Sequence, residues 1–203
     1  MAMTSEARIG RVLVASLHQA IADVLPDRLE FYENWLNAPG LREGTIGLAP
    51  LSAVLSFLRI EGDAYNRIAE RAGEYAADWT VSSMSAIERR VIGVLPTRLR
   101  TRGALRAAAA LVRSTYPGSR VLCKIKRGTA AIDLRGSLFC EVREVSSIPL
   151  CGFYAAAIAR VLFLFGLEAD AKVYECRATS RGRGCRLTVE VRGARTDQPA
   201  AAA

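Results

Sequence analysis

Residues 150–166 read LCGFYAAAIARVLFLFG and residues 173–191 read VYECRATSRGRGCRLTVEV. The first stretch is apolar apart from Arg160 and rich in Ala, marginal for spanning a bilayer, so the reading is a buried helix over Leu150–Leu167. The second contains two alternating segments, Ala171–Ala178 and Arg186–Arg192, joined through Ser180-Arg-Gly-Arg-Gly184. Val173 is expected opposite Leu187, Val189 and Val191, on the side of the sheet that the helix covers.

Working upstream, Arg120–Lys126 sets Val121, Cys123 and Ile125 against Leu122, Lys124 and Lys126. After the turn at Arg127-Gly128, Ala130, Ile132 and Leu134 alternate again, which predicts a first hairpin. Before Tyr116-Pro-Gly118 the period is helical. Predicted helices cover Ile9–Leu25, Asp27–Leu36, Leu51–Leu58, Ala64–Trp79, Ser85–Leu95 and Leu99–Ser114, punctuated by Pro26, the turn Asn37–Gly40, a loop through Gly44, Gly47 and Pro50, Gly62 and Pro96. The fold class is therefore α+β: a helical N-terminal half (1–115) packed on a mostly antiparallel strand-strand-helix-strand-strand part (116–195). The two parts are expected to form one domain, with 196–203 as a disordered tail.

At 203 residues, with 51% hydrophobic and 24% charged residues, the chain can bury a substantial core and does not have the composition of a disordered protein. The net charge is +8, carried by Arg far more than by Lys, which occurs only at 124, 126 and 172. From Arg89 to Arg127 there are eleven basic residues and no acid. This favours an anionic partner, with nucleic acid, an acidic protein or lipid surface, and a carboxylate-bearing small ligand as competing readings, against the equally weighted alternative of a plain solvated face. Nucleic acid ranks last, because no helix-turn-helix, zinc-finger or aromatic-basic sheet motif accompanies the charge.

Much enzyme chemistry has no support. His18 is the single histidine, set in the first helix away from any nucleophile motif, and is read as structural. No dinucleotide fingerprint and no phosphate loop occur, so no nucleotide cofactor is expected. The acids of the fourth helix alternate with Arg67 and Arg71 and read as surface pairs.

Cysteine usage is more informative. Five cysteines, with no secretory apolar run at the N-terminus, indicate a reducing, cytoplasmic setting, with peripheral association at the inner membrane left open. Cys140, Cys151, Cys176 and Cys185 are separated by ten, twenty-four and eight residues, spacings that match no common iron-sulfur run. The hairpin brings Cys176 and Cys185 together, and Cys151 opens a helix, where a thiol pKa is lowered. Four cysteines, or three with Glu175, would make a closed structural zinc site, while the plain alternative is four buried thiols.

The Cys151-Gly-Phe153-Tyr154-Ala155-Ala156 run, the strand ending in Cys176, the Gly-containing turn and Cys185 opening the last strand together resemble the C-terminal signature of the 4-vinyl reductase domain family. The TYPGS segment before the first hairpin brings the likeness nearest its bacteriochlorophyll-biosynthesis branch in purple bacteria. The match covers about the last ninety residues. The resemblance implies a trafficking-complex-subunit-like fold with a ligand pocket between helices and sheet. In phenol-sensing relatives three cysteines and a glutamate hold zinc, and the cysteines match Cys151, Cys176 and Cys185. Val173 stands where the family glutamate would, Glu175 is displaced, the turn between the last cysteines is one residue longer, and Cys140 is available as a fourth ligand.

The same resemblance implies a part in photosynthetic pigment synthesis, by reducing a vinyl group on a chlorophyllide or protochlorophyllide-type tetrapyrrole or by delivering that substrate. A vinyl reduction needs an electron source, and no redox-cofactor motif is present, so whether the chain is itself an enzyme stays open. Tetrapyrrole binding would use Trp35, Phe57, Trp79, Tyr116, Phe153 and Tyr154 around the macrocycle and Arg102, Arg106 or Arg113 on its carboxylates. For each aromatic, core packing is the competing role. A pigment-biosynthesis enzyme and a second copy of the chain are the partners considered. The alternative function is a sensory module for a small apolar or aromatic ligand, stapled by a structural zinc.

Overall fold

The computed structural model describes residues 10–36, 47–126, 128–142, 144–180 and 182–194. The predicted Asn37–Gly40 turn, Gly44, Arg127 of the first hairpin turn and the 196–203 tail lie outside the described residues.

Helix α1 (Arg11–Val24) buries Leu13, Leu17, Ala20 and Ile21 at helical spacing. Pro26 opens a 3-10 turn (Pro26–Arg28), since it lacks the N–H that would continue α1, and α2 (Leu29–Leu36) follows. Helix α3 (Leu48–Ile60) starts a turn earlier than the sequence suggests, because Pro50 is tolerated where backbone N–H groups have no helical acceptor. Helix α4 (Asp63–Ser83) continues past Trp79, and Gly62, at φ 61°, makes the sharp entry from α3. Ser85 caps α5 (Ala86–Val94) by accepting the Glu88 N–H at 3.1 Å, and after Pro96 comes α6 (Thr97–Thr115).

The second half contains β1 (Arg120–Lys126), β2 (Thr129–Arg135), a 3-10 turn (Leu138–Cys140), α7 (Gly152–Leu164), β3 (Leu167–Glu175), the one-turn helix α8 (Arg177–Ser180) and β4 (Cys185–Ala194). The strands form one antiparallel sheet in the order β1-β2-β4-β3. Val173 pairs with Leu187, and Leu187 and Val189 are buried while Val173 and Val191 are partly so.

In the second half, both ends of α7 and of β3 depart from expectation. Helix α7 is shorter than Leu150–Leu167, because Leu150 is committed at both its N–H and its C=O to partners outside the helix, and Gly166, at φ 69°, ends it in the left-handed conformation. Strand β3 begins at Leu167 and ends at Glu175, whereas Ala171–Ala178 was expected. The Glu-Ala-Asp-Ala start is too weakly apolar to show the alternation. Beyond it the chain coils into α8, so Cys176 lies just outside the strand.

Helix α7 is the middle layer. One side packs on α4 and α6 and the other on β3, and it buries Phe153, Tyr154, Ala157, Ile158, Val161 and Leu162. The approach to α4 is close enough that a Cβ on Gly73 would stand 2.3 Å from the Phe153 carbonyl oxygen. Strand β1 is only partly covered, by α6. Its Val121, Cys123 and Ile125 pair with the buried Leu134, Ile132 and Ala130, yet Cys123 is exposed and Ile125 is 40% exposed.

Candidate metal centre and adjoining groove

Two connections each deliver two cysteines, one from either end, to the same point. Cys140 ends the 3-10 turn after β2, Cys151 is the N-cap of α7, Cys176 follows β3 and Cys185 begins β4. All four are buried, and their Sγ atoms lie within 4.8 Å of one another. Cys140 Sγ is 3.4 Å from both Cys176 Sγ and Cys185 Sγ, far beyond the S–S bond length of about 2.0 Å, and all are free thiols.

Backbone donors point at two of the sulfurs. The Leu150 N–H donates to Cys176 Sγ and the Arg177 N–H to Cys185 Sγ, each at 3.4 Å. These are also the two thiols pushed below their ordinary pKa, chiefly by hydrogen bonding with Cys140 and Cys151. Cys151 is pushed up by its hydrogen bonds to the other three. One side of the cluster is thus prepared for thiolate charge.

Two side chains from the helical half brace the cluster. Tyr65, on α4, donates its hydroxyl to the Leu150 carbonyl at 2.8 Å, and Arg59, on α3, donates to the Phe139 carbonyl at 3.0 Å. Each therefore holds the peptide preceding a cysteine. Burial pushes the Tyr65 hydroxyl pKa up, which keeps it a donor. The sequence reading missed both residues: each sits in an ordinary amphipathic helix, and their distance from the cysteines along the chain hides the contact.

Glu175 is not part of this group. It is the last residue of β3, and the strand's alternation turns it away from the cysteine that follows; its Oε2 lies 3.4 Å from Arg186 Nε on the neighbouring strand.

Beside the cluster runs a groove of about 1070 Å³, bordered by Ser56 and Arg59 of α3, Tyr65 of α4, and Val142, Ile148 and Arg177 across from them. Its far wall is formed by Glu141, Val142, Glu144, Ser146, Ile148 and Leu150, which lie between Cys140 and Cys151 in the chain. The buried Arg59 Nε has no hydrogen-bond partner among the described residues.

The residues proposed from sequence around a macrocycle do not converge. Phe153 and Tyr154 are fully buried with Phe139 in the core, in stacked and edge-to-face contacts. Trp35 packs on Phe57 at the surface and Trp79 stacks on Tyr75 at a separate place on α4. Tyr116 follows α6, partly buried. Arg102, Arg106 and Arg113 do share a site: they border a second groove, of about 400 Å³, between α6 and the partly covered face of β1, over Val121 and Ile125. His18 Nε2 lies 2.7 Å from Glu33 Oε1. Arg71 contacts Glu74 at 3.0 Å as a surface pair and also reaches Asp23.

No family model matches this chain, and no curated protein matches it. Solved structures share its fold. The Fe(II) unliganded H-NOX protein from K. algicida superposes with a TM-score of 0.57 at 10% identity, over 94% of this chain and 100% of that one. Trafficking protein particle complex subunit 3 from Naegleria fowleri, covalently bound to palmitic acid, gives 0.50 at 10% identity, over 91% and 99%. The phenol-responsive sensory domain of the transcription activator PoxR, with phenol, gives 0.49 at 14% identity, over 71% and 74%. The α+β architecture of helices on an antiparallel sheet is thus shared with H-NOX and trafficking-complex chains. Among the described residues, no helix is long and apolar enough to cross a membrane.

Proposed function

We propose that this chain is a small-molecule-binding module of the sensory type, stapled by zinc at Cys140, Cys151, Cys176 and Cys185. The observation that carries the reading is that Glu141, Val142, Glu144, Ser146, Ile148 and Leu150, which lie between two thiols of the cluster in the chain, form one wall of the groove of about 1070 Å³. The donor set fits the metal. Four buried thiols with two backbone N–H donors suit a closed tetrahedral tetrathiolate, in which sulfurs stand about 3.8 Å apart around Zn–S bonds of about 2.3 Å. Bound zinc would supply a fixed charge and a rigid anchor, and the groove's mixture of serines, Arg59, Arg177, Glu141, Glu144 and aliphatic side chains suits an apolar body carrying a few polar groups. That chains of this fold are found with an Fe(II) centre and with palmitic acid supports its use around a bound group.

A second reading takes its ligand from the 4-vinyl reductase resemblance. Arg102, Arg106 and Arg113 beside an apolar strand face favour an apolar ligand with carboxylates, and a tetrapyrrole of pigment synthesis is one such molecule.

Metal analysis and ligand titration on one preparation test both. Zinc at one equivalent, with phenol-type ligands whose affinity falls at least tenfold on chelation, is the expected result. Absence of metal from reduced protein, or ligand affinity indifferent to chelation, overturns the first reading. Saturable binding of magnesium protoporphyrin, lost in Arg106→Gln/Arg113→Gln, would favour the second.

A further inference from the structure

Helix α5 carries an apolar stripe on the side away from the core. Ile92 turns inward, while Ile87, Val91 and Val94, at the i, i+4, i+7 spacing of one helix face, are 78%, 52% and 75% exposed. Leu99, just past the Pro96 break, adds to the exposed apolar surface. A folded chain seldom turns three large aliphatic residues of one short helix to water unless something else covers them.

The charge around the stripe identifies the cover. From Trp79 to Ile132 the sequence contains one acid, Glu88. Arg90 lies beside the stripe and Arg98 follows it, both exposed, with Arg102, Arg106, Arg113 and Arg120 further along. Among the described residues, none of these six arginines forms an ion pair, although Arg28, Arg71, Arg135, Arg160, Arg186 and Arg192 elsewhere do. Aliphatic side chains flanked by uncompensated guanidinium groups match an interface with apolar chains beneath anionic phosphate headgroups. A nucleic acid would leave the aliphatic stripe uncovered. A second copy docked through the same face would set arginine against arginine.

We infer that α5 and the arginines flanking it form a docking surface for an anionic phospholipid bilayer, with Ile87, Val91 and Val94 entering the headgroup region and Arg90 and Arg98 on the phosphates. Contact is peripheral, with the guanidinium groups and the aliphatic stripe both contributing. It involves neither the cysteine cluster nor the groove beside it.

The test is co-sedimentation of the full chain with phosphatidylcholine vesicles, with and without phosphatidylglycerol, at low and high salt. Binding that requires phosphatidylglycerol and weakens with salt is expected. Arg90→Gln/Arg98→Gln should weaken it at least tenfold, as two interfacial charges are lost. Ile87→Ser/Val91→Ser/Val94→Ser should weaken it comparably while leaving the circular dichroism melt in place, since all three side chains are exposed. Failure to bind phosphatidylglycerol vesicles overturns the inference, as does binding to them unaffected by both variants. So does a stripe that proves to mediate self-association or capture of an acidic protein without any vesicle binding.

Discussion

Cys140 Sγ and Cys185 Sγ stand 3.4 Å apart although the two residues are 45 positions distant in the chain, so the turn after β2 and the start of β4 are fixed to one point. Cys151 and Cys176 bring the start of α7 and the end of β3 to the same place. With zinc bound, the cluster ties the covering helix to the sheet. Cys176→Ala or Cys185→Ala should abolish metal retention and lower the thermal midpoint by about 10 °C or more, read by metal analysis and calorimetry. An unchanged midpoint with full metal content would sink the structural role.

Thiol reactivity gives an independent count. Cys123 is exposed on the edge strand, and the other four are buried. A disulfide-exchange reagent should titrate one fast thiol in native protein and all five after chelation in denaturant. More than one fast thiol in the native state would show that the cluster is open.

Arg59 should matter to the metal without touching it. Its guanidinium holds the Phe139 carbonyl, the peptide that presents Cys140. Arg59→Met should weaken zinc affinity about tenfold or more, as loss of a supporting hydrogen bond does at other sites, measured by competition with a chromogenic chelator. Equal affinities would show that the cysteines set themselves.

Alkaline stability should report on Tyr32. Burial, followed by its 2.9 Å hydrogen bond to Glu61, pushes its hydroxyl pKa up to about 12 from an ordinary 10.0. The folded state therefore keeps a proton that the unfolded chain releases. This contribution is full below pH 10 and is lost as pH rises towards 12, so stability falls across that window. Tyr32→Phe should cost about 1 kcal/mol at neutral pH and flatten part of that fall, read from urea melts in stepped buffers.

At the α4–α7 crossing, Gly73→Ala should destabilise by about 1–3 kcal/mol, since its Cβ would collide with the Phe153 carbonyl and the helices would have to separate. A neutral result in the same urea melts would mean that the crossing has room to spare.

Periodicity made the fold class readable because almost every element has one wet and one dry face. Leu13, Leu17 and Ile21 on α1 are an example. It failed where chemistry outranked pattern: Leu150 looks like helix but serves Cys176 and Tyr65, and Glu168 to Ala171 form strand through pairing with β4 more than through their own character. The four cysteines could be picked out as a group because the chain reverses near each of them. The exclusion of Glu175 required knowing that β3 ends at that residue. Arg59 and Tyr65 could not be found from spacing, because their partners are backbone carbonyls 80 and 85 positions away. Phe153 and Tyr154 are fully buried in the core, and a ring that fills a core and a ring that grips a ligand look alike in sequence.

The position of α7 between α4 and the sheet bears on how the chain can be made. On the ribosome, the residues up to Thr115 emerge first, with the Gly73 side of α4 shaped for a helix that is still untranslated. That surface stays open to water until Leu164 has left the exit tunnel, so the early helices cannot finish folding by themselves. A fragment ending at Thr115 should behave as an aggregation-prone intermediate, and synthesis of this protein becomes a race between the arrival of α7 and the capture of the half-made helical layer.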